Sequence, residues 1–126
     1  MPFEPSVSIV IVNLNGLRHL DECFKSIQRL DYPKDKIEVI LVDNGSQDDS
    51  VKFMQEKYRW VKIIRNTKNE GFAKPSNDGA RAASGEYVAF LNNDMKVHRR
   101  WLSELVASIE RNQAAGAGAV ILNWNG

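Results

Sequence analysis

Apolar residues fall along this chain in two patterns: short continuous runs, and longer stretches with an apolar position at every third or fourth residue. Runs of about four to eight residues suit buried strands, and the wider spacing suits helices with one apolar face. Val7 to Val12 predicts a first strand rich in β-branched residues, followed by a turn at Asn13-Leu-Asn-Gly16. Leu17, Leu20, Phe24 and Ile27 predict a helix to about Leu30, which Tyr32-Pro33 ends. Ile37 to Val42 is the second strand, and Val51, Met54 and Tyr58 mark the inner face of a second helix. Val61 to Ile64 is a short strand expected near an edge. After a polar loop from Arg65 to Lys74, Pro75 is placed to begin a third helix carrying Ala80, Ala82 and Ala83. Tyr87 to Leu91 is the fourth strand, apolar throughout as if buried on both faces. Trp101, Leu102, Leu105, Val106 and Ile109 give a fourth helix, and Ala117 to Leu122 a fifth strand. Strands alternating with helices imply an α/β fold, a mostly parallel sheet with helices on both faces and right-handed crossovers.

Three of these strands end in polar residues: Asn13 and Asn15, Asp43 to Ser46, and Asn92-Asn93-Asp94. A single strand ending in Asn or Asp usually just makes a turn or starts a helix. Parallel strands, however, place all three clusters on one sheet edge, where open α/β sheets bind ligands.

Composition narrows the picture. With 126 residues, 43% of them hydrophobic, the chain suits one globular domain over 1–126. A net charge of +1 argues against bulk attraction to nucleic acid or membrane. The single cysteine, Cys23, excludes an internal disulfide and sits on an apolar helix face as core packing. No apolar run approaches the ~20 residues of a membrane span, and the N-terminus lacks a signal-peptide pattern. A cytoplasmic location is expected, with a longer protein able to work at the cytoplasmic membrane face.

The strand-end residues exclude several chemistries. Asn13-Leu-Asn-Gly16 is not the glycine fingerprint of a dinucleotide site, and no Gly-Lys-Ser/Thr loop is present. No Ser or Cys occupies a nucleophile elbow. His19 and His98 are too far apart for a zinc pair and are expected at the surface. What remains suits a hard cation, Mg²⁺ or Mn²⁺, and a nucleotide. Asp94 would hold the metal, Asn92 or Asn93 would orient it or a ligand hydroxyl, and Asp43 would accept hydrogen bonds from a base or ribose.

Val7-Ser-Ile-Val-Ile-Val-Asn13, Val42-Asp-Asn-Gly-Ser-Gln-Asp48, Asn69-Glu-Gly-Phe-Ala73 and Gly85-Glu-Tyr-Val-Ala-Phe-Leu-Asn-Asn-Asp94 occur in that order. Together they resemble the GT-A glycosyltransferases of family 2, with the rhamnosyltransferase-like branch closest. The resemblance implies a Rossmann-like nucleotide-sugar-binding fold and inverting transfer to an acceptor hydroxyl, in polysaccharide or cell-surface glycan synthesis. It implies that Asp43 contacts the base and that Asp94 is the metal-binding acid. It also places Asn13, Asn15, Asn44, Asn69, Gly71, Asn77, Asn92 and Asn93 around the donor. There are departures: Asn92 stands where many relatives carry a first acid, Lys74-Pro75-Ser76 where small residues are usual, and His98-Arg99-Arg100 where an acidic-Pro-Gly run is usual. The resemblance further implies that the acceptor pocket, for a glycan or lipid-linked acceptor, and the catalytic base belong to a second half beyond these residues. Glu104 and Glu110 fall on the polar side of a helix. Transfer by these residues alone is therefore expected to be weak or absent, and a non-catalytic nucleotide-binding module is the alternative. A phosphoacceptor receiver domain would need an acidic pair after the first strand and a Lys after the last, where this chain has Asn13, Asn15 and Asn123.

Overall fold

The Val7-to-Val12 run becomes the central strand of a parallel sheet in a computed structural model that describes residues 4–112 and 123–124. The elements are β1 (Val7–Asn13), α1 (Leu17–Gln28), β2 (Ile37–Asn44), α2 (Ser50–Lys57), β3 (Lys62–Asn66), α3 (Ala73–Ala82), β4 (Tyr87–Leu91), α4 (Trp101–Asn112) and β5 (Asn123–Trp124). The sheet order is β3-β2-β1-β4-β5, so the chain builds outward from β1 in one direction and then returns to its other side at β4. That reversal leaves a crevice between the carboxyl ends of β1 and β4, where open sheets of this kind take ligands. β3 is at the edge, as its short run suggested.

Side chains alternate across each strand, and the alternation sorts the core into two layers. Ile9, Ile11, Val39 and Leu41 face α1, α2 and α4, packing with Leu20, Phe24, Ile27, Met54, Tyr58 and Leu102. Val10, Ile40, Val42 and Val88 face α3 and pack with Ala80, Ala82, Ala83 and Phe90. Small residues let α3 lie close: a Cβ added at Gly79 would overlap Val10 Cγ1 and stand 3.1 Å from Val42 Cγ2. Cys23 is 1% exposed, and burial first, then the charge of Asp94, pushes its thiol up to about 12. This is core packing, as expected.

In the layer of α1 and α2, Asp21 joins the two helices. It accepts from Tyr58 Oη at 2.6 Å and pairs with Lys57 at 2.7 Å and Lys25 at 3.1 Å. Lys57 first, then Tyr58, hold its carboxyl well below the usual carboxylate range.

Two expectations shift, and a third falls outside the described residues. α3 begins at Ala73, so Pro75 is its third residue rather than its first. The first four N–H groups of a helix have no intrahelical partner, so proline there forfeits no bond. β1 and β2 run on into their polar ends, through Asn13 and Asn44. The expected strand at 117–122 lies outside the described residues; β5 is Asn123–Trp124, parallel to Phe90 and Leu91.

Candidate functional site

The same alternation that sorts the core divides the polar strand ends. Asn13 pairs in register with Asp43, both on the α1 side, whereas Asn44 turns to the α3 side beside Asn66. Two networks result.

On the α1 side Asp43 is 2% exposed. Its Oδ1 accepts from Asn13 Nδ2 at 3.0 Å and Ser46 Oγ at 2.7 Å, and its Oδ2 from Ser46 N–H at 2.9 Å. Asn13 Oδ1 in turn accepts from Asn93 Nδ2 at 2.7 Å, reaching across to the end of β4. Asn15, in the left-handed region at φ 52°, accepts from Gln47 N–H at 2.7 Å, and its own N–H donates to Ser46 Oγ at 2.9 Å. Asp48 takes Leu17 N–H at 3.2 Å and Ser50 N–H at 3.0 Å, so one carboxylate serves the first turns of both α1 and α2. Burial opposes its ionisation, but the bonds from Ser50 and Leu17 outweigh that and lower its pKa.

On the α3 side Asn44 is 3% exposed and holds the loop between β3 and α3. Nδ2 donates to Asn69 Oδ1 at 3.0 Å and Gly71 O at 2.8 Å; Oδ1 accepts Asn66 Nδ2 at 3.3 Å and Glu70 N–H at 3.0 Å. Gly45, at φ 89°, lets this loop close, since a Cβ there would come 2.6 Å from the Lys68 backbone carbon.

Between the two networks opens a cavity of about 510 Å³ lined by Val12, Leu14, Asn44, Asn69, Gly71, Phe72, Asn92, Asn93 and Asp94. It lies over the β1–β4 crevice. A second, more apolar hollow of about 280 Å³ adjoins it through Val12, Phe72 and Asn92, and reaches Ser76 and Asn77. The structure therefore brings Asn44, Asn69, Gly71, Asn92, Asn93 and Asp94 together on one wall-and-floor set. Asn77 belongs to the adjoining hollow. Asn13, Asn15 and Asp43 stand behind the cavity, bonded to Ser46, Gln47 and Asn93. Ser46 and Gly16, read from sequence only as parts of the turns after β2 and β1, and Gly45 beside Ser46 organise these turns.

Asp94 is exposed at the cavity's mouth. Among the described residues no cluster of His, Cys, Asp and Glu forms a preformed metal cage. A lone carboxylate beside two amides nonetheless fits Mg²⁺ or Mn²⁺, which take most ligands from water and substrate phosphates. Among the carboxylates of α4, Glu104 lies 3.9 Å from Arg100, and Glu110 accepts a hydrogen bond from Tyr87 Oη, at the start of β4 and away from the cavity. Glu110 is thus engaged rather than simply solvated. No described helix is long and apolar enough to cross a membrane.

A family model for glycosyl transferase family 2 matches residues 8–126. Glycosyltransferase AglE of Haloferax volcanii is 31% identical over 124 residues, 96% of this chain and 39% of AglE. A crystal structure of Staphylococcus aureus TarS 1–349 in complex with UDP aligns with TM-score 0.78 and 28% identity, covering 86% of this chain and 33% of that one. TarS is a poly(ribitol-phosphate) beta-N-acetylglucosaminyltransferase. The mannosyltransferase PcManGT from Pyrobaculum calidifontis, in complex with GDP-Man and Mn²⁺, aligns with TM-score 0.78 and 27% identity over 85% of this chain and 33% of its own. The chain thus spans 39% of the length of AglE and 33% of each crystal chain.

Proposed function

The chain belongs to glycosyl transferase family 2, and we infer from its strand-end cavity that it binds a nucleoside-diphosphate sugar. In the whole protein the sugar passes with inversion to an acceptor hydroxyl. The observation that carries this is the cavity over the β1–β4 crevice, with Asp94 at its mouth and Asn44, Asn69 and Gly71 on the facing loop. A diphosphate needs a cation or donors near it, and a base and ribose need hydrogen-bonding groups; this cavity offers one at each side. The neighbours that hold UDP, or GDP-Man with Mn²⁺, support the same reading.

Asp94 would hold the cation, with Asn92 and Asn93 beside it. When bound, such an ion supplies charge neutralisation to the departing diphosphate. The loop that Asn44 pins forms the opposing wall and orients the nucleoside. Asp43 has three hydrogen bonds and a carboxylate offers about four acceptor sites, so it can still accept one from a base or ribose if the turn opens slightly. Asn77 lines the adjoining hollow, where it would meet the sugar. Inversion requires a base to deprotonate the attacking hydroxyl, and no described residue after Asp94 supplies one. A polyol-phosphate or other cell-surface glycan is the acceptor class that the likeness to TarS supports.

Calorimetric titration of UDP, dTDP and GDP, in Mn²⁺, into the protein and its Asp94→Ala variant tests the assignment. One nucleotide should bind, and the variant should bind it at least about tenfold more weakly, the loss of one charge-assisted ligand. Equal affinity in folded Asp94→Ala would remove that residue from the site.

A further inference from the structure

We propose that Asn13 and Asn93 form an amide relay by which Asp43 positions the Asp94 turn, making Asn93 a positioning residue that links the nucleoside side of the cavity to its cation side. This rests on the reading of the cavity as a nucleotide-sugar site. The three side chains run in one hydrogen-bonded line from β2 through β1 to β4: Asn93 Nδ2 to Asn13 Oδ1 at 2.7 Å, and Asn13 Nδ2 to Asp43 Oδ1 at 3.0 Å. The line has a fixed polarity. An ionised carboxylate only accepts, so Asn13 must turn its NH₂ toward Asp43 and its oxygen toward Asn93, which must then donate. The charge on Asp43 therefore sets the orientation of an amide two residues along the line and on a different strand. Asn13 is 0% exposed, so water does not stand in for either bond.

Gly16 supplies an independent sign that the arrangement is built. A Cβ at Gly16 would overlap Asn93 Nδ2 and come 2.5 Å from Asn13 Oδ1, so this position leaves room over that one hydrogen bond. Beyond Asn93 the turn is closed by Met95 N–H donating to Asn92 O at 3.1 Å, so a shift of Asn93 carries Asp94 with it.

The test uses uridine, thymidine and guanosine monophosphates titrated in EDTA, so that no cation contributes. Coupling along the line is reciprocal, so the nucleoside side reads it without a cation. Losing the Asn93 bond frees Asn13 and with it Asp43, and the nucleotide that binds should bind Asn93→Ala about five- to tenfold more weakly. Asn93→Asp, the same size but an acceptor facing an acceptor, should be at least as weak; wild-type affinity in that variant would show that Asn93 only fills space and overturn the relay. In a double-mutant cycle Asn13→Ala should leave little further to lose on Asn93→Ala, whereas additive losses would mean that Asn93 touches the ligand directly. Should Asn13→Ala fail to fold, Gly16→Ala, which pushes a methyl into the same bond, replaces it. One arm needs no ligand. The side-chain NH₂ resonances of Asn93 should shift on Asp43→Asn, and unchanged resonances would overturn the relay even if the protein binds none of the nucleotides. Absence of all nucleotide binding together with a shifted Asn93 resonance would keep the relay and sink the cavity's assignment instead.

Discussion

Asn44 shows how one buried amide can set the shape of a cavity. Its two donors and its oxygen meet Asn69, Gly71, Asn66 and Glu70, so the loop opposite Asp94 is fastened at one point. Truncation to alanine would strand the Gly71 carbonyl and the Glu70 N–H near a buried site, and each orphaned group costs about 1–3 kcal/mol where water does not reach it. With partial rescue by water, Asn44→Ala should cost about 2–3 kcal/mol in urea unfolding, and the Glu70 amide should exchange faster than in the parent. Asn44→Asp should be no better despite its identical shape. It replaces two donors with an acceptor aimed at Asn69 Oδ1 and the Gly71 carbonyl. Parental exchange rates in Asn44→Ala would show that the loop is held elsewhere.

At the scale of elements, the apolar runs made the sheet and helices legible, because burying a whole strand requires a whole run of apolar residues. They failed where the site begins. Asn13, Asp43 and Asn44 read as turns, yet β1 and β2 continue through them because their backbone ladder does: Asn13 pairs with Asp43, and Asn44 with Asn66. The sequence therefore placed Asp43 and Asn44 at one edge of the sheet, but it did not show that alternation sends them to opposite faces, nor that Asp43 is buried behind the cavity. Pro75 misled for a related reason, since any of the first helical positions tolerates it. Gly79 illustrates what packing adds to propensity. Alanine there would gain about 1 kcal/mol of helix propensity, but its Cβ would overlap Val10 Cγ1 in the layer under α3. Overpacking of this kind costs about 1–3 kcal/mol. Gly79→Ala should thus come out destabilised by about 1 kcal/mol in chemical unfolding. Adding Val10→Ala should relieve part of that, making the pair less costly than the sum of its members. Simple additivity would mean that α3 moves away instead.

For the whole molecule, a net charge of +1 leaves no broad field to draw in a polyanionic nucleotide, so attraction has to be local. Asp94 at the cavity mouth would make it worse, not better, unless a cation lies between the carboxylate and the diphosphate. That argument gives a stability prediction for the entire fold. A ligand that binds only the native state at 100 times its dissociation constant adds about 2.7 kcal/mol. At about 4 °C per kcal/mol for a domain of this size, the expected rise in Tm is about 10 °C. The preferred nucleoside diphosphate in Mn²⁺ should produce that rise. Replacing Mn²⁺ with EDTA at the same nucleotide concentration should remove most of it, and should leave the smaller shift given by the monophosphate nearly unchanged. Asp94→Ala in Mn²⁺ should behave like the parent protein in EDTA. A diphosphate shift that survives EDTA in full would mean that the diphosphate is held by protein groups alone, and Asp94 would then have to be assigned a role other than carrying the cation.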